Sequence, residues 1–256
     1  MSGPQRAFAW ALAWVLPWLG AGLLTLPLIA AAQELKPSPH LASLTGPGSA
    51  PAAPWRFIGL PGTKKPATRF EVVTLDGQRV LRIDSERSYG NLVHLLPADE
   101  PHGHTLTWRW RVDQPLPQAD LRERQTEDMP VRVCASFDEP LAAVPFVERQ
   151  VLRAMRARAG EMVPAAAVCY VWDHRLAAGT QLHSPFTHRI RYIVLRGPES
   201  PPQAWRSQRR DLHADFLALF GDEVKTVPPL LSISVGADAD NTQDHGIAHL
   251  ADLQLE

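Results

Sequence analysis

The sequence predicts an all-β fold: an antiparallel β-sandwich of jelly-roll type with minor helical insertions. Three observations carry that expectation. Short apolar runs, about eight to ten of them, recur along the chain and are separated by turn residues. The 256 residues include 24 Pro and 16 Gly, which mark many turns rather than a helical bundle. Only two stretches show helical spacing, too few for alternating βαβ units.

The chain opens with a targeting segment. Residues 1–6 carry one positive charge, residues 7–32 carry none, and the run ends in Ala30-Ala31-Ala32. This reads as a secretory signal peptide over 1–32. The rival reading is an uncleaved anchor, since the apolar run is long enough to span a bilayer. No Cys follows the small residues, which disfavours a lipoprotein. Either way the expected location is periplasmic or secreted. Residues 33–54, rich in Pro, Ser, Gly and Ala, are expected to form a flexible lead-in. Residues 55–256 then form a single sandwich domain.

Within that domain, 70–74 and 79–83 flank Asp76-Gly77, a hairpin signal. Strands follow at 91–96, 106–112 and 131–137. The crossing between the last two carries five acids. Residues 144–159 break the pattern. Phe146, Val147, Val151, Leu152 and Met155 recur at helical spacing, with Arg149, Arg153, Arg156 and Arg158 on the other side. The expected helix lays its apolar stripe across one end of the sheet; a membrane-surface or partner helix is the competing reading. Strands resume at 165–172 and 188–195. A second helix spans 211–220, with Leu212, Phe216 and Leu219 on one face and Gly221 as its stop. Strands at 230–235 and 247–255 close the fold.

The stretch 106–137 organises the reading. Side chains alternate along a strand, so Trp108 and Trp110 share one side and Arg109 and Arg111 the other. Val131, Val133, Ala135 and Phe137 share a side, opposite Arg132, Cys134 and Ser136. The tryptophans are expected in the core rather than in a sugar-stacking platform with Trp172. Arg109, Arg111, Arg132 and Arg191, with Asp128 and Asp173 beside them, then form a candidate ligand face, since guanidinium forks recognise carboxylates and phosphates. The competing reading is a structural ion network neutralised by Glu127, Asp128 and Asp173. Cys134 and Cys169, the two cysteines, have parities that permit a disulfide; two separate buried thiols fit equally.

Asp238, Asp240, Asn241, Asp244 and Asp252 form an acid-rich cluster whose oxygens suit Ca²⁺, though the spacing is not an EF-hand. Turn chemistry is the alternative. Zinc is disfavoured: His102 with His104 and His245 with His249 lack a helical HExxH setting and a third ligand. No nucleophile elbow, Walker loop or dinucleotide fingerprint occurs. A net charge of −1 provides no basic field for nucleic acid.

Several segments together resemble a family that carries only a domain-of-unknown-function label, number three-zero-four-seven, found in secreted proteins of Gram-negative bacteria. They are WRWRV at 108–112, DMPVRV at 128–133, CYVWD at 169–173, RDLHADFLALFG at 210–221 and DADNTQDHGIAHLADL at 238–253. Glu127-Asp128 stands where that family tends toward Asp-Asp. The acid-rich ending is more loosely similar to the last hairpin of jelly-roll carbohydrate-binding modules. The resemblance implies secretion and a β-sandwich, not a reaction. The expected function is non-catalytic binding of a glycan or other anionic envelope component. One alternative is a polysaccharide hydrolase using Asp128 and Asp173; another is a scaffold that docks protein partners through the basic helix.

Overall fold

The structure, a computed structural model, describes residues 37–60, 63–159 and 163–256. The expected leader lies outside the described residues. Among these, no helix is long and apolar enough to cross a membrane. Twelve strands and two helices follow in the order β1 (Arg56–Ile58), β2 (Arg69–Leu75), β3 (Gln78–Glu86), β4 (Tyr89–Leu95), β5 (Thr105–Gln114), β6 (Met129–Phe137), α1 (Phe146–Ala159), β7 (Ala166–Trp172), β8 (Gln181–His183), β9 (Ile190–Arg196), β10 (Arg206–Asp211), α2 (Leu212–Phe220), β11 (Leu230–Asp238) and β12 (His245–Leu255). They make two sheets, β1-β4-β11-β6-β7-β9-β8 and β10-β5-β12-β3-β2. Every pairing is antiparallel except β7 with β9. The fold is the expected all-β sandwich.

The core lies between the sheets and follows the period-2 pattern. From the five-stranded sheet come Leu81, Ile83, Leu106, Trp108, Trp110 and Leu250; from the other come Val133, Tyr170, Trp172, Ile233 and Val235. Aromatic rings join the layers: Trp108 meets Tyr170 at 5.3 Å and Trp110 meets Trp172 at 5.9 Å between centroids. These tryptophans are therefore core, not a stacking platform. The β2–β3 turn has positive φ at both Asp76 (51°) and Gly77 (76°), the geometry of a type I′ hairpin. Asp211 caps α2 by accepting from the amides of His213 and Ala214. Asp215 ties α2 down, accepting from Tyr170 Oη at 2.7 Å and Arg210 Nε at 2.8 Å.

Three expectations change. The lead-in is not wholly outside the core: Leu44 is buried in it, with Leu41 and Ala42 packed alongside and next to the domain's own Trp55. Trp55 Nε1 donates to the Ala42 carbonyl, and the Ala42 amide to His94 Nε2. A Pro-rich composition hid the apolar anchor at Leu44. Second, β6 and β7 are buried on both faces. The 115–128 crossing and the segment after β7 fold back over the seven-stranded sheet, where Leu121, Met129, Cys134, Cys169, Val171, Tyr192 and Val194 form a second apolar cluster. Third, α1 buries Leu152 against Val144 and Ala165, leaving Phe146, Val147, Val151 and Met155 exposed.

Cys134 and Cys169 lie directly opposite on β6 and β7 and form a disulfide. Where β9 begins, Arg189 Nη1 donates to Glu139 at 3.1 Å and Nη2 to Glu223 at 2.6 Å. Arg191 donates to the same Glu223, and both guanidiniums lie over the Phe220 ring. Burial pushes Glu139 up to about 7, against the pull of Arg189 and with help from Glu223.

The disulfide closes a loop across a sequence separation of 35. Cys134→Ser with Cys169→Ser is expected to lower unfolding free energy by about 3–4 kcal/mol, read from urea titration; an unchanged midpoint contradicts it. Glu139 binds its proton more tightly folded than unfolded, where its value is about 4.3. Stability should therefore fall as pH rises from about 4.3 to about 7 and then level off. Glu139→Gln should flatten that slope in melts taken across the range.

Candidate functional site

The two β5 arginines stand on the outer face of the five-stranded sheet, because Trp108 and Trp110 take the inner one. Trp205, just before β10, reaches the same face and is half-buried. The Arg109 and Arg111 guanidinium carbons lie 5.2 and 5.8 Å from its ring centroid, a cation–π arrangement. Its Nε1 donates to Asp76 Oδ2 at 3.1 Å. Asp76 sits in the β2–β3 turn, so this bond joins opposite edges of the sheet. Flat, those edges would be roughly 19 Å apart at ordinary strand spacing. The indole side chain and the hairpin tip reach across the outer face to make the bond.

Beneath this clasp the polar groups are paired. Arg109 Nε donates to Asp252 at 2.5 Å and its Nη2 to Gln78 at 2.6 Å. Arg111 donates to Asp113 at 2.6 Å and to Asp76 at 3.2 Å. His249, buried on β12, places Nδ1 3.3 Å from Asp113. Burial, reinforced by Arg82 and Arg111, holds that imidazole below its ordinary value, with Asp113 acting against it. Further along, burial opposes ionisation of Asp84, but hydrogen bonds from Arg82, Arg69 and His245 outweigh it and hold the carboxyl at about 2. The four guanidiniums thus meet four carboxylates on one face. The result is a fixed array of planar donors and acceptors with little net charge, which has the Trp205 indole beside Arg109, Arg111 and Asp76.

The structure does not bring the four expected arginines together. Arg132 is on β6, in the other sheet, and buried. Its Nε and Nη2 donate to Asn91 Oδ1 at 3.2 and 3.1 Å, and Tyr89 lies under it. Burial disfavours its charge, but Tyr89, Asp238, Tyr192 and Glu127 outweigh that and raise its value. Arg191 is on β9, held at the α2 end by Glu223. Arg132 points outward from its own sheet, away from Arg109 and Arg111, and Arg191 shares the inward parity of Ile193, so the predicted shared face is absent. Glu127 is buried, accepts from Ser184 and Tyr192, and is pushed up by burial.

The two acids of the hydrolase alternative have separate structural partners. Asp128 accepts four hydrogen bonds from Asn241 and Thr242. Asp173 accepts from the amides of Arg175 and Leu176. Of the expected calcium set, Asp238 and Asp240 converge, joined by Asp128, with one oxygen of each within 4.8 Å of the others. Asn241 instead donates to Asp128, and Asp244 accepts from the His245 amide. Calcium takes six to eight oxygens. Here Asp128 is already saturated with donors, and Lys65 Nζ lies 2.9 Å from Asp240. Burial, with Asp128 and Asp240 adding, raises Asp238 well above the carboxylate range despite Arg132. Lys65, Asn241 and Thr242 already occupy oxygens of this cluster, so it is a poor match to an open oxygen cage.

Sequence reasoning missed Trp205. Its only signal is a lone tryptophan in a polar, proline-flanked stretch, and RSQRRD of β10 has no apolar period.

Residues 53–254 match the model of a family described as Protein of unknown function (DUF3047). A search of curated proteins finds no match. Among solved structures, the chain is similar to the Family 11 Carbohydrate-Binding Module from Clostridium thermocellum, solved in complex with a beta-1,3-1,4-mixed-linked tetrasaccharide. Identity is 9%, coverage is 85% of this chain and 94% of that one, and the TM-score is 0.38, a likeness of fold alone. The family match runs from the residue before Pro54 nearly to the end of β12 and so takes in both sheets: the chain belongs to the DUF3047 family of proteins of unknown function.

Proposed function

We propose that this protein is a non-catalytic glycan-binding sandwich whose recognition surface is the outer face of the five-stranded sheet. The observation that supports this most is Trp205, clasped by Asp76 and flanked by Arg109 and Arg111 on the polar outer sheet face. A sugar ring offers an apolar C–H face and a rim of hydroxyls. An indole matches the first, and planar guanidinium, carboxamide and carboxylate groups match the second. Hydrogen bonds already hold these groups in place, so little side-chain entropy is left to lose on binding.

The pairing also selects between ligand classes. Arg109 and Arg111 are matched by Asp252, Asp113 and Asp76, so an anion would have to displace carboxylates already in place. A neutral glycan adds to the array without breaking it. The reading therefore shifts from an anionic envelope component toward a neutral polysaccharide.

Affinity electrophoresis against a neutral β-glucan and an acidic polysaccharide tests this. The wild-type protein should be retarded by the neutral polymer. Trp205→Ala, which leaves the core untouched, should weaken retention roughly tenfold or more. Retention by the acidic polymer alone, or equal retention of wild type and variant, would sink the reading.

A further inference from the structure

We propose that α1 is a docking surface for an anionic lipid membrane, independent of the glycan face. Eight large apolar side chains among the described residues are exposed, and four of them lie on this helix: Phe146 and Val147 at 71%, Val151 at 43% and Met155 at 41%. Val147, Val151 and Met155 follow at four-residue spacing and so form one stripe. A fifth, Phe186 at 48%, is next to it, since Thr187 Oγ1 donates to Glu148 of α1 at 3.1 Å. Among the described side chains of the helix Leu152 is the buried one. Isolated surface leucines or valines need no explanation, but a contiguous set of this kind does.

The helix is held firmly in spite of its exposed face. Arg149 donates to the carbonyls of Ala142 and Val144, and Arg156 to that of Val163. Leu152 sits in a small cluster with Leu141, Val144, Val163 and Ala165. The stripe is therefore displayed by a fixed helix, not by a fraying one.

Charge identifies the partner. Four arginines and one acid occur in Phe146–Ala159. The acid, Glu148, is engaged by Thr187. Arg153 is exposed on the helix, and Arg124 lies over the Phe186 ring at 4.8 Å. Arg153 lies one i, i+7 step from Phe146 and Arg124 over Phe186, so two guanidiniums flank the exposed apolar set at its ends, an arrangement that complements a layer of anionic headgroups over acyl chains. Arginine stems reach up to phosphates while valine, methionine and phenylalanine enter the boundary. Self-association is the weaker fit. The exposed apolar area is on the order of 500 Å², below the roughly 800 Å² per partner of a stable interface. Two copies would also bring like charges together.

Among the described residues every core cluster and strand lies within Leu35–Glu256, which forms a compact unit by itself. That polypeptide, which lacks the apolar leader, is the reagent for vesicle flotation. It should float with vesicles containing phosphatidylglycerol and stay behind with pure phosphatidylcholine. Val151→Asp with Met155→Asp should reduce the floated fraction at least roughly tenfold. Arg153→Glu should do so in part, and more weakly in high salt. Trp205→Ala should float like wild type, which separates this surface from the glycan face. Flotation that survives the double aspartate substitution, or none on anionic vesicles, overturns the proposal. So does a dimer in light scattering that the same substitution dissolves, since the stripe would then face a second copy.

Discussion

The contact between β5 and β7 sets most of this molecule. Trp108 and Trp110 turn inward to meet Tyr170 and Trp172, which is the largest concentration of aromatic area between the sheets. Strand geometry leaves no freedom after that. With the tryptophans in, Arg109 and Arg111 must be out, and the outer face of the five-stranded sheet becomes polar. With Tyr170 and Trp172 in, Cys169 must be out, opposite Cys134. One aromatic contact thereby positions both the candidate site and the disulfide, on opposite sides of the sandwich.

That explains what could be read from the sequence. Parity was legible: the inward sets Trp108/Trp110 and Val131/Val133/Ala135/Phe137 are those of the structure. Sheet membership was not. Arg109 and Arg132 have the same parity relative to the core, yet they lie on different sheets and point away from each other. Whether two consecutive strands pair or stack depends on long-range packing that no local pattern records. Burial by loops was equally hidden. Nothing in a charged crossing announces that Leu121 will cap the outer face of β6 and β7, or that Glu127 will be enclosed with Tyr192 and Ser184. The indole of Trp205 was invisible for the opposite reason, since β10 lacks the apolar alternation that marks a strand.

The two sides of the sandwich treat charge differently. Under the loops of the seven-stranded side, Glu127, Asp238 and Arg132 are buried, and burial raises the values of both acids. A buried ion network of this type fixes how the covering loops sit more than it adds stability. Strongly shifted groups often mark functional sites, but structural networks shift them too. Here each group's partners are other protein groups: Ser184 and Tyr192 on Glu127, Asn91 on Arg132, Asn241 and Thr242 on Asp128. On the five-stranded side the same residue types are paired but reachable. Asp76, Gln78 and Asp252 are exposed and the arginines partly so.

Pairing at an open surface has a consequence for selectivity. Each guanidinium on the five-stranded face already has a carboxylate, so the field above the face is weak and falls off within a few ångströms. Long-range steering then contributes little, and discrimination has to come from contact geometry: the plane of Trp205, the spacing of Arg109 and Arg111 along β5, and the reach of Gln78 and Asp252 from the side. Two residues apart on one strand, the arginines are separated by about 6.8 Å, somewhat more than the span of one pyranose ring. Their spacing suits hydroxyl groups on successive sugar residues of a chain better than a single compact anion. The bond between Asp76 and Trp205 fixes the plane of the indole against which that geometry is set.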